Sequence, residues 1–233
     1  MTRLALIGMG RMGRAIAALA PERDFEVVAT LDRDDRISRD SLGRADVAIE
    51  FTTPGAAPDN VRACAQFGCP VVVGTTGWND RLDEVRATVV ALDGALLTAP
   101  NFSIGVAIFD RVVAEASRLF AGVGGFEACL VETHHSAKLD APSGTALALA
   151  ATVERALGHS LPITSVRVGS VPGTHELVFD APFEQVRLVH EARDRRVFAG
   201  GALVAARWLV GRRGVFTMQD VITAQSPSTE HSS

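Results

Sequence analysis

Cysteine is scarce in this chain, and what there is stands apart: Cys64, Cys69 and Cys129 in 233 residues. That number and scatter exclude a disulfide framework and a cysteine-bound zinc cluster. They point to reduced, mostly buried thiols in a cytoplasm. Long apolar runs are missing too, since no stretch approaches the ~20 apolar residues of a membrane span. The opening, MTRLALIGMGRMGRAIA, has one early arginine and then glycines where a signal peptide needs unbroken apolar residues. The expectation is a cytoplasmic protein with no membrane partner. Nor is there much charge of one sign. A net charge of −4 gives no global drive toward nucleic acid, so none is expected as a partner. Internal repeats are absent. What remains is ordinary α/β globular material, 47% apolar and 21% charged with 21 glycines, at a length suited to one large domain or two modest ones.

The first half alternates apolar runs with amphipathic stretches, the pattern of βαβ units on a parallel sheet. Strands are expected at Leu4–Gly8, Glu26–Leu31, Asp46–Phe51, Pro70–Gly74 and Ala95–Thr98, with helices at about Met12–Ala20, Ala56–Phe67 and Asp80–Leu92. Asp32 to Arg44 is charged, lacks helical spacing and reads as a loop. A helix is expected from about Ile104 to Phe120 with Ser103 as N-cap. The second half turns β-rich. A strand at Ala128–Thr133 and a helix at about Thr145–Leu157 precede strands at Ser165–Val168, Thr174–Asp180 and Gln185–Ala192, and a helix of small residues spans about Arg196–Val210. The last residues are polar and Ser-rich, as in a frayed tail.

Two stretches carry chemistry. In the first, a strand runs into Gly8-Met9-Gly10-Arg11-Met12-Gly13 and then a helix. A G-x-G-x-x-G in that context cradles a dinucleotide. The first glycine makes the turn, the second admits the pyrophosphate, the third lets helix and strand approach, and the free N–H groups of the helix start bind phosphate. Asp32, nineteen residues after Gly13, stands where an acid would hold an adenosine ribose. Arg33 beside it suits instead the extra phosphate of NADP, so cofactor preference stays open between NADH and NADPH. Three further strand ends, Phe51-Thr52-Thr53, Gly74-Thr75-Thr76-Gly77 and Ala99-Pro100-Asn101-Phe102, belong at the carboxyl edge of the same sheet, where ligands of open α/β sheets bind.

The second stretch is ETHHSAKLDAPSGT, from Glu132 to Thr145. A metal site is disfavoured, because neighbouring residues of a strand point to opposite faces and the only local acids are Glu132 and Asp140. A turn followed by a capped helix remains open as a purely structural reading. Pro142 near the first helical turn, followed by Ser143, Gly144 and Thr145, also makes an anion trap of backbone N–H groups. His134, His135 and Lys138 would add positive charge beside it, a combination that suits a carboxylate next to proton donors.

The string H-H-x-x-K-x-D-A-P-S-G-T-A resembles the signature of dihydrodipicolinate reductases (4-hydroxy-tetrahydrodipicolinate reductases), the NAD(P)H enzymes of the diaminopimelate and lysine pathway. The resemblance extends through GRMG, FT at 51–52, VGTTG at 73–77, APNFS at 99–103, F-A-x-G-A at 198–202 and WL at 208–209. Two features depart from the family pattern: the glycine loop is one residue shorter than G-x-x-G-R-M-G, and the segment after Asp32 is abbreviated. These bear on adenosine contacts and cofactor preference more than on the reaction.

The resemblance implies a Rossmann-like dinucleotide-binding domain, residues 1–101 plus 196–225, and an α+β substrate-binding and oligomerisation domain with a mixed sheet, residues 102–195. Residues 226–233 are left as a flexible tail. It further implies a homotetramer and hydride transfer from NADH or NADPH to a cyclic imine bearing two carboxylates. By position, His134 is the acid and Lys138 the second donor or electrostatic clamp. A histidine is apt because its ordinary pKa is ~6.5. His135, Ser143, Gly144 and Thr145 are placed at the substrate carboxylate, with Arg195 a weaker candidate for the second one. Gly8, Gly10, Arg11, Met12, Gly13, Asp32, Arg33, Phe51, Thr52, Gly74, Thr75, Thr76, Ala99, Pro100, Asn101 and Phe102 are assigned to the cofactor.

Overall fold

The computed structural model describes residues 1–224 and divides into two compact units, Met1–Ile104 with the chain from Phe198 on, and Gly105–Val197. The expected tail, 226–233, lies outside the described residues.

In the first unit β1 (Thr2–Ile7), β2 (Phe25–Leu31), β3 (Val47–Glu50), β4 (Val71–Val73) and β5 (Ala95–Thr98) alternate with α1 (Arg11–Leu19), α2 (Ala57–Gln66) and α3 (Leu82–Ala91). The helix expected from Asp80 begins at Leu82, after a single 3-10 turn at Asn79–Arg81. Strands β1, β3, β4 and β5 are buried almost throughout, as strands covered on both faces must be. With a sixth strand, β10 (Gly214–Phe216), at one edge, all pairings are parallel, in the order β10-β5-β4-β3-β1-β2. The sixth strand and the helix α7 (Met218–Ala224) come from the end of the chain, where the sequence pattern offers no clear strand.

The β2–β3 crossover carries no helix. Ile37 and Leu42 bury into the sheet's core, while the Arg3 guanidinium donates to the Arg44 and Gly43 carbonyls, so side chains hold this loop in place of a helix face. Helix α6 (Arg196–Leu209) buries Ala199, Gly201, Ala202, Ala205 and Ala206. A side chain at Gly201 would collide with the Phe102 carbonyl, which explains the glycine at that position.

The second unit holds α4 (Ile104–Val123), β6 (Glu127–His134), α5 (Gly144–Leu157), β7 (Ile163–Arg167), β8 (Thr174–Ala181) and β9 (Glu184–Glu191). Its sheet runs β7-β6-β8-β9, with β6 parallel to β7 and antiparallel to β8, which is antiparallel to β9. Leu130, Leu177 and Phe179 on one face pack with Val113 of α4 and Ala146, Leu149 and Val153 of α5. The molecule is thus an α/β protein with a Rossmann-like parallel sheet and a second, mixed sheet.

Candidate active site

Register lines up the carboxyl ends of the parallel strands. Leu31, Ile7, Glu50, Val73 and Thr98 pair in one row across the sheet. The next residue of each strand therefore falls on one edge. Gly8 donates to Leu31 at 2.7 Å, Phe51 to Ile7 at 2.8 Å, Gly74 to Glu50 at 2.9 Å and Ala99 to Val73 at 3.3 Å. Four segments, from Gly8 to Ala99, are so brought to a single rim, at the point where the strand order reverses around β1. A cavity of about 230 Å³ opens there, lined by Gly8, Gly10, Asp32, Arg33, Phe51 and Thr52 among others.

The three loop glycines have different reasons. Gly8 sits at φ +95°, and a Cβ there would strike the Phe51 carbonyl. A Cβ on Gly13 would run into the Gly8 carbonyl, so helix α1 can approach the turn only without one. Gly10 faces open space, with nothing within 4 Å of where its Cβ would be. Helix α1 has no side-chain cap and no acid in its first turn, leaving backbone donors for a diphosphate. This room and these donors fit a dinucleotide. Arg11 is exposed and Met12 half-buried at the start of α1. The Asp32 carboxylate accepts from Arg33 N at 3.0 Å, at an exposed site beside the cavity. On the far part of the rim, Thr76 and Pro100 are exposed and the Asn101 side chain accepts from Ser103 N at 2.8 Å. Phe102 is 2% exposed and meets the Phe51 ring edge-on at 5.9 Å.

Sequence reasoning missed Glu50. It is fully buried at the end of β3, bonded to the Thr52 hydroxyl, with Thr52 N also donating to it at 3.1 Å and to Thr75 Oγ1 at 2.8 Å. Burial raises its pKa, and the bonds from Thr52, Thr75 and Asn60 only partly offset that. Glu50 thus ties the 51–52 and 74–76 loops together. An apolar strand ending in one carboxylate was the available signal.

The second unit builds a site from side chains. Residues Glu132 and His134, two apart on β6, share a face, and Ser165, His175 and Arg167 stand opposite them on the neighbouring strands. This polar row continues the apolar face of Leu130 and Leu177 at its open end. Glu132 is wholly buried. One oxygen takes Arg167 at 2.7 Å and the other is bonded to His134 Nδ1. Burial alone would raise the Glu132 pKa, yet Arg167, Ser165 and His134 hold it at about 2. His134 has its pKa lowered, chiefly by burial, against the pull of Glu132. The His134 ring meets His175 edge-on at 5.3 Å, and burial, then the charge of His134, push His175 down to about 4.

Ser143 is the N-cap of α5. Its hydroxyl accepts from Ala146 N at 3.2 Å and lies 3.3 Å from His175 Nε2. Pro142 thus precedes the cap rather than entering the first turn, and the helix opens with Gly144, Thr145 and Ala146. Lys138 pairs with Asp140 at 2.8 Å. His135, past the strand end, is half-buried and has its Nε2 3.3 Å from the exposed Arg195 guanidinium. The structure therefore joins Arg195 to the histidine pair across sixty residues. Arg167, Gly173 and His175 were not singled out in the sequence, because only strand register brings them here. Among the described residues no group of three or more His, Cys, Asp or Glu is placed to hold a metal ion.

Comparison with known proteins gives this geometry its relatives. Residues 2–102 match the family described as "Dihydrodipicolinate reductase, N-terminus" and residues 105–222 the one described as "Dihydrodipicolinate reductase, C-terminus". A 4-hydroxy-tetrahydrodipicolinate reductase from Christiangramia forsetii is 36% identical over 94% of this chain and 97% of its own length. One from Methanoculleus marisnigri is 34% identical over 92% of this chain and 96% of its own. The solved structure of a dipicolinate-bound dihydrodipicolinate reductase from Paenisporosarcina sp. TG-14 shares the fold, with a TM-score of 0.78 and 23% identity over 93% of this chain and 97% of that one. With both halves matched in order and identity above a third with a full-length relative, the chain belongs to the dihydrodipicolinate reductase family.

Proposed function

We propose that this protein uses NADH or NADPH to reduce 4-hydroxy-tetrahydrodipicolinate to tetrahydrodipicolinate, a step of diaminopimelate and lysine biosynthesis. The observation that carries the reading is the placement of a buried His134, fixed by Glu132, in a family member whose relatives bear that reaction's name. The first unit is the dinucleotide-binding domain and the second the substrate-binding and oligomerisation domain.

When bound, the reduced nicotinamide supplies the hydride. The glycine loop and the donors of α1 hold its diphosphate. Asp32 and Arg33 meet the adenosine end, and the rim from Phe51 and Thr52 to Gly74–Thr76 and Ala99–Phe102 takes the rest. His134 donates a proton from Nε2 as electron density moves onto the ring nitrogen. Lys138 supplies a cation to the developing charge or a carboxylate. Its partner Asp140 is well exposed, so that pair costs little to open when an anion arrives. The start of α5 at Ser143, Gly144 and Thr145 takes one carboxylate, while His135 and Arg195 take the other.

Assembly as a homotetramer has support in the second sheet. Its face opposite α4 and α5 carries Val166 on β7 and Val189 on β9, 38% and 55% exposed. A cytoplasmic location and no nucleic-acid partner complete the reading. Among the described residues, no helix is long and apolar enough to cross a membrane.

The test is an NAD(P)H oxidation assay with the substrate generated in situ by its synthase. Oxidation that depends on the substrate is expected with at least one cofactor. None with either would overturn the reading.

A further inference from the structure

We propose that Glu132, anchored by Arg167, is the positioning residue of the site: it sets which nitrogen of His134 carries hydrogen when the ring is neutral and holds the second proton on the ring. This rests on the reading above, in which His134 is the proton donor.

Burying the Glu132 charge is costly. A carboxylate with no exposed surface persists only if its charge and lone pairs are met. Arg167 meets one oxygen from across the strand pair, at 2.7 Å, and also donates to the Asp140 carbonyl at 2.6 Å, so the guanidinium is itself held in place. The other oxygen has His134 Nδ1 as its partner. An ionised carboxylate only accepts hydrogen bonds, so Nδ1 must carry the hydrogen. That leaves Nε2 as the nitrogen that gains or gives a proton. Nε2 lies against Gly173, where a Cβ would come within 2.9 Å, so the glycine keeps that end of the ring clear.

The charges around His134 give Glu132 a second task. From β6 the ring faces Glu132, from β7 Arg167, from β8 His175 with His190 beyond it, and from the following loop Lys138, whose charge is shared with Asp140. Burial, Lys138 and Arg167 all disfavour an imidazolium, and only Glu132 favours it. Without that carboxylate every remaining influence would strip the proton an acid has to give.

Glu132→Gln separates this role from a merely structural one. Arg167 would keep the amide oxygen, and the amide nitrogen would then face Nδ1 and force it to accept. Nitrogen-15 histidine NMR on the ligand-free protein reads the ring directly. In the unaltered protein the neutral His134 should be the Nδ1–H tautomer. In Glu132→Gln it should switch to Nε2–H and titrate at lower pH, by about one unit or more. A histidine acid works below its pKa, so its rate falls as pH rises through that pKa. The falling limb of kcat/KM should therefore move to lower pH in the variant, and its deficit should grow with pH. An Nε2–H tautomer in the unaltered protein would overturn the proposal without any variant, as would equal titration in both proteins or a deficit uniform across pH. Because the tautomer is read without substrate, absence of reductase activity would sink the functional reading and leave this test intact.

Discussion

The rim of the parallel sheet and the polar end of the mixed sheet solve different problems with different material. Along the rim, the groups offered to a ligand are mostly backbone: glycine turns, a helix start and strand-end amides in one row. In the second unit they are side chains held by other side chains, some close in the chain, as His134 by Glu132 and Lys138 by Asp140, others far along it, as Glu132 by Arg167, Ser143 by His175 and His135 by Arg195. A long diphosphate needs many weak, evenly spaced donors, which a backbone supplies without desolvating a charge. Moving one proton needs a single group with a set tautomer and affinity, and that takes buried charge with buried compensation.

The largest loss should come from removing the proton donor. His134→Ala should lower kcat/KM by ~10²-fold or more, about 2.7 kcal/mol of transition-state stabilisation, while NADH still binds. Lys138→Ala should fall in the same direction. If both kept unaltered turnover in the oxidation assay, the side-chain site would have been assigned to the wrong residues.

Backbone sites should fail by packing instead. Gly13→Ala puts a methyl against the Gly8 carbonyl and should cost about 1–3 kcal/mol, seen as a lower Tm together with weaker NADH binding. Gly10→Ala meets open space, so its Tm should stay put while the Kd for NADH rises about tenfold. Equal Tm losses in the two variants would erase the distinction between these glycines.

Acid should reach the side-chain site first. His175 has a folded pKa of about 4 against an ordinary 6.5, so below 6.5 the unfolded chain takes up a proton that the native state refuses. Stability should fall as pH drops from 6.5 to about 4. Glu132, at about 2 against 4.5, should add a further loss from 4.5 downward, since its contribution vanishes as the carboxylate protonates. His175→Gln should flatten the upper part of that fall in urea titrations. A slope unchanged from the unaltered protein would assign the acid sensitivity elsewhere. The smallest effect is at the adenosine end. Asp32→Ala should weaken NADH by about 1 kcal/mol and leave NADPH less affected, compared through their KM values.

Legibility followed the same division. The glycine loop, Asp32 and the strand-end loops could be read because their chemistry follows from local spacing: a strand of known length ends, a turn needs a glycine, a helix starts. The helix-free stretch after Asp32 was readable too, since it lacks apolar spacing. The sixth strand, β10, was not, because three half-buried residues take their strand identity from β5 rather than from any pattern of their own. Glu132 lay in plain view two residues before His134, and strand alternation already put both on one face. Arg167, Gly173 and His175 carried no such mark.

Most of the elements, the family and the principal proton donors and phosphate donors are written in the amino-acid sequence alone. Those depend on periodicities of 2 and 3.6 residues and on short motifs, all local properties of a chain. How those groups are wired to one another belongs to the folded chain. Which nitrogen of His134 faces a carboxylate, which guanidinium neutralises that carboxylate and where Arg195 points depend on strand register and burial. Charge interactions act through space, at distances set by neighbours that the chain order does not name.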